Sequence, residues 1–155
     1  MTTETHQRAG VVRHKKGLCR GCRICELVCS AVHDGVCSAA LSRIHIGADD
    51  FTFSYPAVIC AQCQTAACYH ACPRRDEALC IDAETGARYI DETNCDGCGD
   101  CADACPLPDA PIWKRSDPGP TTCFKCDLCR NIDGGPQCVQ MCPWGALVYR
   151  EAKSE

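Results

Sequence analysis

The chain has 155 residues, 19 of them cysteine, and only 6% are aromatic, too few large apolar groups for an ordinary core. Cross-links through cysteine are therefore expected to hold the fold together. The net charge is −4 and no aromatics are interleaved with the basic segment, which argues against nucleic-acid binding; no run approaches the roughly 18 apolar residues of a membrane span.

The N-terminus, residues 1–10, is polar and reads as a flexible lead-in. It has no apolar stretch of the signal-peptide kind, and the cysteine count is odd, so a secreted disulfide scaffold is not expected. A cytoplasmic location is expected, where clustered thiols bind metal or do redox work. Val11-Val12 reads as a short strand able to pair with Leu147 to Tyr149. The first cysteine group follows, Cys19-x2-Cys22-x2-Cys25-x3-Cys29, and opens a helical piece over Glu26 to Val32. Arg43 to Ile46 and Phe51 to Tyr55, the latter with alternating aromatics, read as a hairpin around Gly47 to Asp50. Group two is Cys60-x2-Cys63-x4-Cys68-x3-Cys72 followed by Pro73. Ala78 to Asp82 and Arg88 to Asp91 flank Glu84-Thr85-Gly86 as a second hairpin. Group three is Cys95-x2-Cys98-x2-Cys101-x3-Cys105 followed by Pro106, and Asp117 to Pro120 reads as a linker. Group four ends in Cys138-x3-Cys142-Pro143, while its start is open, because Cys123, Cys126 and Cys129 are all spaced by x2.

Three cysteines at x2 intervals let one tight loop present three thiolates to three iron corners of a cube, with Gly21, Gly97 and Gly99 allowing close backbone approach. The fourth, after x3, lies on a helical turn pointing away and reaches a different cluster, as in two-cluster ferredoxins. The following proline ends the turn. Zinc sites take four ligands, typically two C-x2-C pairs, often with histidine. Here the ligands run three plus one, and His6, His14, His33, His45 and His70 keep no fixed offset from them.

Charge is unevenly spread. Residues 1–25 carry Arg8, Arg13, Lys15, Lys16, Arg20 and Arg23 against Glu4 alone. Residues 76–109 carry Asp76, Glu77, Asp82, Glu84, Asp91, Glu92, Asp96, Asp100, Asp103 and Asp109 against Arg88 alone. Two solvated faces are one reading; a polarised docking surface, with head-to-tail self-association of copies, is the sharper one.

From about Val11 to Tyr149 the sequence resembles the four-cluster, ferredoxin-type electron-transfer subunits of molybdenum or tungsten pterin oxidoreductases, formate dehydrogenases, hydrogenases and carbon monoxide dehydrogenases. The resemblance is carried by Cys-Arg-Gly-Cys-Arg-Ile-Cys-Glu-Leu-Val-Cys from Cys19, Ser-Arg-Ile-His-Ile from Ser42, Cys-Ala-Gln-Cys-Gln-Thr-Ala-Ala-Cys from Cys60, and Lys-Cys-Asp-Leu-Cys from Lys125 leading to Gly-Pro-Gln-Cys-Val. That last motif favours starting group four at Cys126-x2-Cys129-x8-Cys138, which leaves Cys37, Cys80 and Cys123 without iron, as buried hydrophobes or loop thiols. Ser30 stands where a proline would follow Cys29, which lets the first helix run on towards His33.

The resemblance implies an α+β fold of two nested bacterial-ferredoxin-like modules, small, with few short strands and helices around four 4Fe-4S clusters. The outer module would be residues 11–54 and 116–150, and the inner one residues 55–115. The clusters would be held by Cys19, Cys22, Cys25 with Cys142; by Cys126, Cys129, Cys138 with Cys29; by Cys60, Cys63, Cys68 with Cys105; and by Cys95, Cys98, Cys101 with Cys72. No hydrolase elbow, phosphate loop or dinucleotide fingerprint is present, so the chain is expected to be a wire and not an enzyme. The implied partners are a catalytic tungsten or molybdenum pterin subunit, such as an aldehyde oxidoreductase, and a second electron partner, a ferredoxin or a flavin or NAD subunit. A free polyferredoxin carrier, a formate dehydrogenase or hydrogenase subunit, and a zinc-binding interaction module are the alternatives.

Overall fold

The computed structural model describes residues 9–117 and 119–152. In chain order its elements are β1 (Val11–His14), α1 (Ile24–Asp34), β2 (Ile44–Ile46), β3 (Ala57–Ile59), α2 (Ala67–Ala71), β4 (Leu79–Ile81), β5 (Arg88–Ile90), α3 (Asp100–Asp103), β6 (Ile112–Arg115), β7 (Thr122–Lys125), α4 (Gln137–Gln140) and β8 (Leu147–Arg150). The result is a small α+β fold of short helices and antiparallel strands. The strands pair in twos, β1 with β8, β2 with β3, β4 with β5 and β6 with β7, all antiparallel. Two-stranded ribbons of three or four residues are marginal alone, so they depend on what packs against them.

The expected terminal pairing is present, with Val12 opposite Tyr149 and His14 opposite Leu147. Of the expected flexible N-terminus, residues 1–8 lie outside the described residues; Gly10 is buried, and a Cβ there would meet the Tyr149 ring at 2.1 Å from its hydroxyl. The hairpin around Glu84-Thr85-Gly86 is also present as β4 and β5. The hairpin expected over Phe51 to Tyr55 is corrected. β2 pairs instead with Ala57–Ile59, leaving only a bridge between Asp49 and Ser54. The Asp49 carboxylate accepts the Phe51 and Thr52 amides (3.0 and 3.2 Å), which commits those donors to a tight turn, and Phe51 projects 98% exposed. The alternating aromatics are a loop tip. Asp117 to Pro120, read as a linker, lies in the connection between β6 and β7; Pro118 itself lies outside the described residues.

α1 begins within the first cysteine group, at Ile24 just ahead of Cys25, and runs to Asp34, where Gly35 (φ 72°) turns the chain and donates to the Ala31 carbonyl (3.0 Å). Ser30, in place of proline, is fully buried; its hydroxyl donates to the Leu27 carbonyl (3.0 Å) and accepts the Ser38 amide (2.8 Å). The helix thus continues through the position at which the other groups stop. α2, α3 and α4 are single turns, each ending just before a Cys-Pro pair.

Apolar side chains and cysteines share the interior. One cluster combines Val12, Ile44, Ile46, Leu128 and Leu147 with Cys25, Cys29, Cys60, Cys126 and Cys138. A second combines Ala66, Tyr69, Leu79 and Ile112 with Cys101 and Cys123. A half-buried ion network links the sequence ahead of β2 to β6 and β7: Asp34 accepts from Arg43 and from Arg115 (2.5 Å), Glu92 accepts from Arg115 (2.7 Å) and Thr122 (3.2 Å), and both guanidiniums lie over the Phe124 ring. Burial opposes the Asp34 charge, but the two arginines more than offset it and hold the carboxyl below its ordinary range. Much of the acidic stretch is likewise engaged internally, Asp82 with Arg130 (3.3 Å) and Asp76 with the Tyr69 hydroxyl (2.7 Å).

Candidate metal centre

None of the 19 cysteines forms a disulfide. Three cavities collect twelve of them into quartets. The first is lined by Cys19, Cys22, Cys25 and Cys142, walled by Ile24, Ile46, Trp144 and Leu147. The second is lined by Cys29, Cys126, Cys129 and Cys138. The third is lined by Cys60, Cys63, Cys68 and Cys105. Of the remaining set, Cys101 is buried in the second apolar cluster with Cys72 and Cys95 packed against it, while Cys98 is exposed. In each cavity three cysteines come from one run and the fourth from a run distant in the sequence.

A backbone repeat underlies these loops. The residue just before the second cysteine of each group has a left-handed conformation: Gly21 (φ 68°), Gln62 (51°), Gly97 (67°) and Leu128 (62°). The fourth member of the repeat is the loop of Cys126 and Cys129. Cys123 sits instead in extended β7, 1% exposed. Its amide donates to Cys95 Sγ (3.3 Å) and its thiol contacts Cys95 and Cys101, so it is a buried strand residue beside group three. Cys80 lies in β4 with its thiol 3.5 Å from the Glu77 carbonyl, and Cys37 is exposed. At Gly97 a Cβ would fall 2.6 Å from the Thr121 carbonyl oxygen. Gly97→Ala is therefore expected to cost about 1–2 kcal/mol from the left-handed backbone alone, with the clash in addition, measurable as a lower melting temperature and reduced iron content.

The donor set fits an iron–sulfur group and not a single zinc ion. Tetrahedral zinc with Zn–S of about 2.3 Å keeps its sulfurs about 3.8 Å apart. Among the described residues, the one trio of ligand atoms lying within 4.8 Å of each other is His33, Asp127 and Cys129. None of the sulfur quartets is drawn together that closely, and soft thiolates are the ligands iron–sulfur clusters use. Burial pushes the Cys25 and Cys101 thiols up to about 12 and Cys129 up to about 11, and raises Cys126 and Cys138 for the same reason. Such thiols stay protonated at neutral pH unless a cationic centre displaces the protons.

Backbone amides already point at several sulfurs: Arg43 N–H at Cys29 (3.2 Å), Gln62 N–H at Cys60 (3.4 Å) and Gly97 N–H at Cys95 (3.4 Å). Sequence reasoning missed the charged groups among them. His33 donates from Nε2 to Asp127 (2.9 Å) and from Nδ1 to the Cys29 carbonyl (2.8 Å). Burial works against its charge, but Asp127 and Cys29 push it up to about 10, so it is a cation beside the second cavity. Arg88 and Lys125 are buried near Cys60 and Cys68. Only the position of Lys125 ahead of Cys126-Asp-Leu-Cys129 signalled any of this.

Cysteine loops of this repeat, carried on short ribbons and single-turn helices, define a ferredoxin-type iron–sulfur protein. The chain belongs to the 4Fe-4S dicluster domain family, matched over residues 51–152. It is 38% identical over 126 residues to the polyferredoxin-like subunit of the aliphatic sulfonate oxidoreductase of Pyrococcus furiosus, covering 80% of this chain and spanning 66% of that protein's length. It is 31% identical to the electron transport protein HydN of Escherichia coli, across 84% of this chain and 81% of HydN. Among solved structures it resembles a chain of the active site complex BamBC of benzoyl coenzyme A reductase, with 28% identity, a TM-score of 0.54, and coverage of 95% of this chain and 82% of that one. The chain is thus an electron-transport iron–sulfur protein and not itself a catalytic subunit. Among the described residues no helix is long and apolar enough to cross a membrane.

Proposed function

We propose that the chain holds four 4Fe-4S clusters and relays electrons between a catalytic oxidoreductase subunit and a second redox partner. The ligand sets are Cys19, Cys22, Cys25 with Cys142; Cys29 with Cys126, Cys129, Cys138; Cys60, Cys63, Cys68 with Cys105; and Cys72 with Cys95, Cys98, Cys101. The observation carrying this reading is the lining of three separate cavities by three of these quartets. Bound clusters supply reversible one-electron exchange at potentials tuned by hydrogen bonds to sulfur, local charge and exposure. The chain's own residues supply that tuning: amides of Arg43, Gln62 and Gly97 donate to sulfur.

Nesting is supported by the pairing of the two chain ends through β1 and β8 and by α1 packing on α4, against α2 packing on α3. These fit an outer module of residues 11–54 and 116–150 around an inner one of 55–115. The β2–β3 and β6–β7 ribbons both cross that boundary and join the two.

A catalytic partner is supported by the relatives, one named as a subunit of an aliphatic sulfonate oxidoreductase and one a chain of a benzoyl coenzyme A reductase complex, and its metal class is what the resemblance of the cysteine motifs implies. A tungsten or molybdenum pterin enzyme, of the aldehyde oxidoreductase class, is the partner proposed. It docks at the basic end, where Leu18 and Trp144 are exposed beside the cavity of Cys19, Cys22, Cys25 and Cys142. Anaerobic affinity purification from the native host is expected to bring down a larger subunit containing tungsten or molybdenum. Adding that enzyme's substrate should bleach the visible iron–sulfur absorption. A chain that purifies alone, at low salt as at high, would instead support a free carrier.

A further inference from the structure

Alternation along β7 puts Cys123 and Lys125 on one face and Thr122 and Phe124 on the other. Lys125 is 3% exposed, and its ammonium donates to the backbone carbonyls of Arg88 and of Cys126 (3.1 Å). Among the described residues no carboxylate lies within salt-bridge range of it. The ionisable groups facing it are cysteines: Cys60, in hydrogen-bonding contact, then Cys68 and Cys126. Lys125 lines the cavity of Cys60, Cys63, Cys68 and Cys105, and its neighbour Cys126 lines the cavity of Cys29, Cys129 and Cys138. Gln62 fixes the same junction, donating to the Cys126 and Arg88 carbonyls (2.8 and 3.3 Å) while accepting the Arg88 amide (2.7 Å).

A buried cation without a carboxylate is costly unless another anion compensates it. A cubane with four thiolate ligands is anionic and gains one further negative charge on reduction. A fixed neighbouring cation therefore favours the reduced state and raises the potential. Resting on the four-cluster reading, we propose that Lys125, with Arg88 lining the same cavity, is a counter-charge that raises the potential at Cys60, Cys63, Cys68 and Cys105.

The test is a redox titration of the full chain, purified anaerobically, followed by electron paramagnetic resonance alongside iron analysis. Lys125→Met is expected to keep wild-type iron content while one signal, the one abolished by Cys63→Ser, moves to lower potential. Its reduction equilibrium constant should fall at least about tenfold. Lys125→Arg should restore the wild-type midpoint. If Lys125→Met loses iron, the same downward shift is expected in Lys125→Gln, which keeps a donor for the Arg88 carbonyl. Full iron with unmoved midpoints in the neutral variants overturns the role of Lys125 alone. A wild-type chain without iron overturns the cluster reading and this proposal with it.

Discussion

Removing iron with a strong chelator under anaerobic, reducing conditions is expected to unfold the chain. The ribbons are three or four residues long and three of the helices single turns or little more, so none is stable by itself. Cysteines occupy both apolar clusters, and without metal they are only small hydrophobes. Net stabilities of domains are about 5–15 kcal/mol, and even one structural metal site contributes on the order of 10 kcal/mol to folding. Several such sites exceed everything else the fold has. Circular dichroism should show the loss of cooperative melting as iron is withdrawn. A chelated chain that kept its secondary structure and melted at an unchanged temperature would contradict this account.

Substitution in the fourth group is expected to separate two neighbouring thiols sharply. Cys129→Ser should cost one cluster, about a quarter of the bound iron, whereas Cys123→Ser should keep all of it. Both are buried, so burial does not distinguish them. The backbone does: Leu128 repeats the left-handed turn of Gly21, Gln62 and Gly97, while Cys123 is held in β7 by pairing with Lys114. Iron and sulfide analysis of both variants decides the matter. Loss of a cluster from Cys123→Ser with none from Cys129→Ser would instead assign the group to Cys123-x2-Cys126-x11-Cys138.

The cysteine runs were legible because x2 spacing and a following Cys-Pro pair are local chemistry, and a loop that points three sulfurs inward needs little else. The terminal ribbon and the Gly86 hairpin were legible for the same reason, short apolar runs bounded by turn residues. The segment around Phe51 misled because its aromatics alternate as a strand would. The Asp49 carboxylate instead captures two of its amides, and Pro56, whose carbonyl accepts the Gly47 amide (2.8 Å), delays pairing until Ala57. The β6–β7 ribbon was hidden by Asp117 to Pro120, whose composition reads as a linker although the strands it connects pair with each other. His33, Asp127, Arg88 and Lys125 were not legible as site residues. Their importance comes from neighbours remote in sequence, such as Cys60 facing Lys125, and no local spacing encodes that.

The four-cluster assignment is tested most directly by counting iron and acid-labile sulfide in the anaerobically purified chain, with protein measured by amino-acid analysis. Four cubanes predict about 16 iron and about 16 sulfide per chain, with a broad visible absorption bleached by dithionite. A plateau near half those values, or a stoichiometric content of zinc with no sulfide, would contradict it.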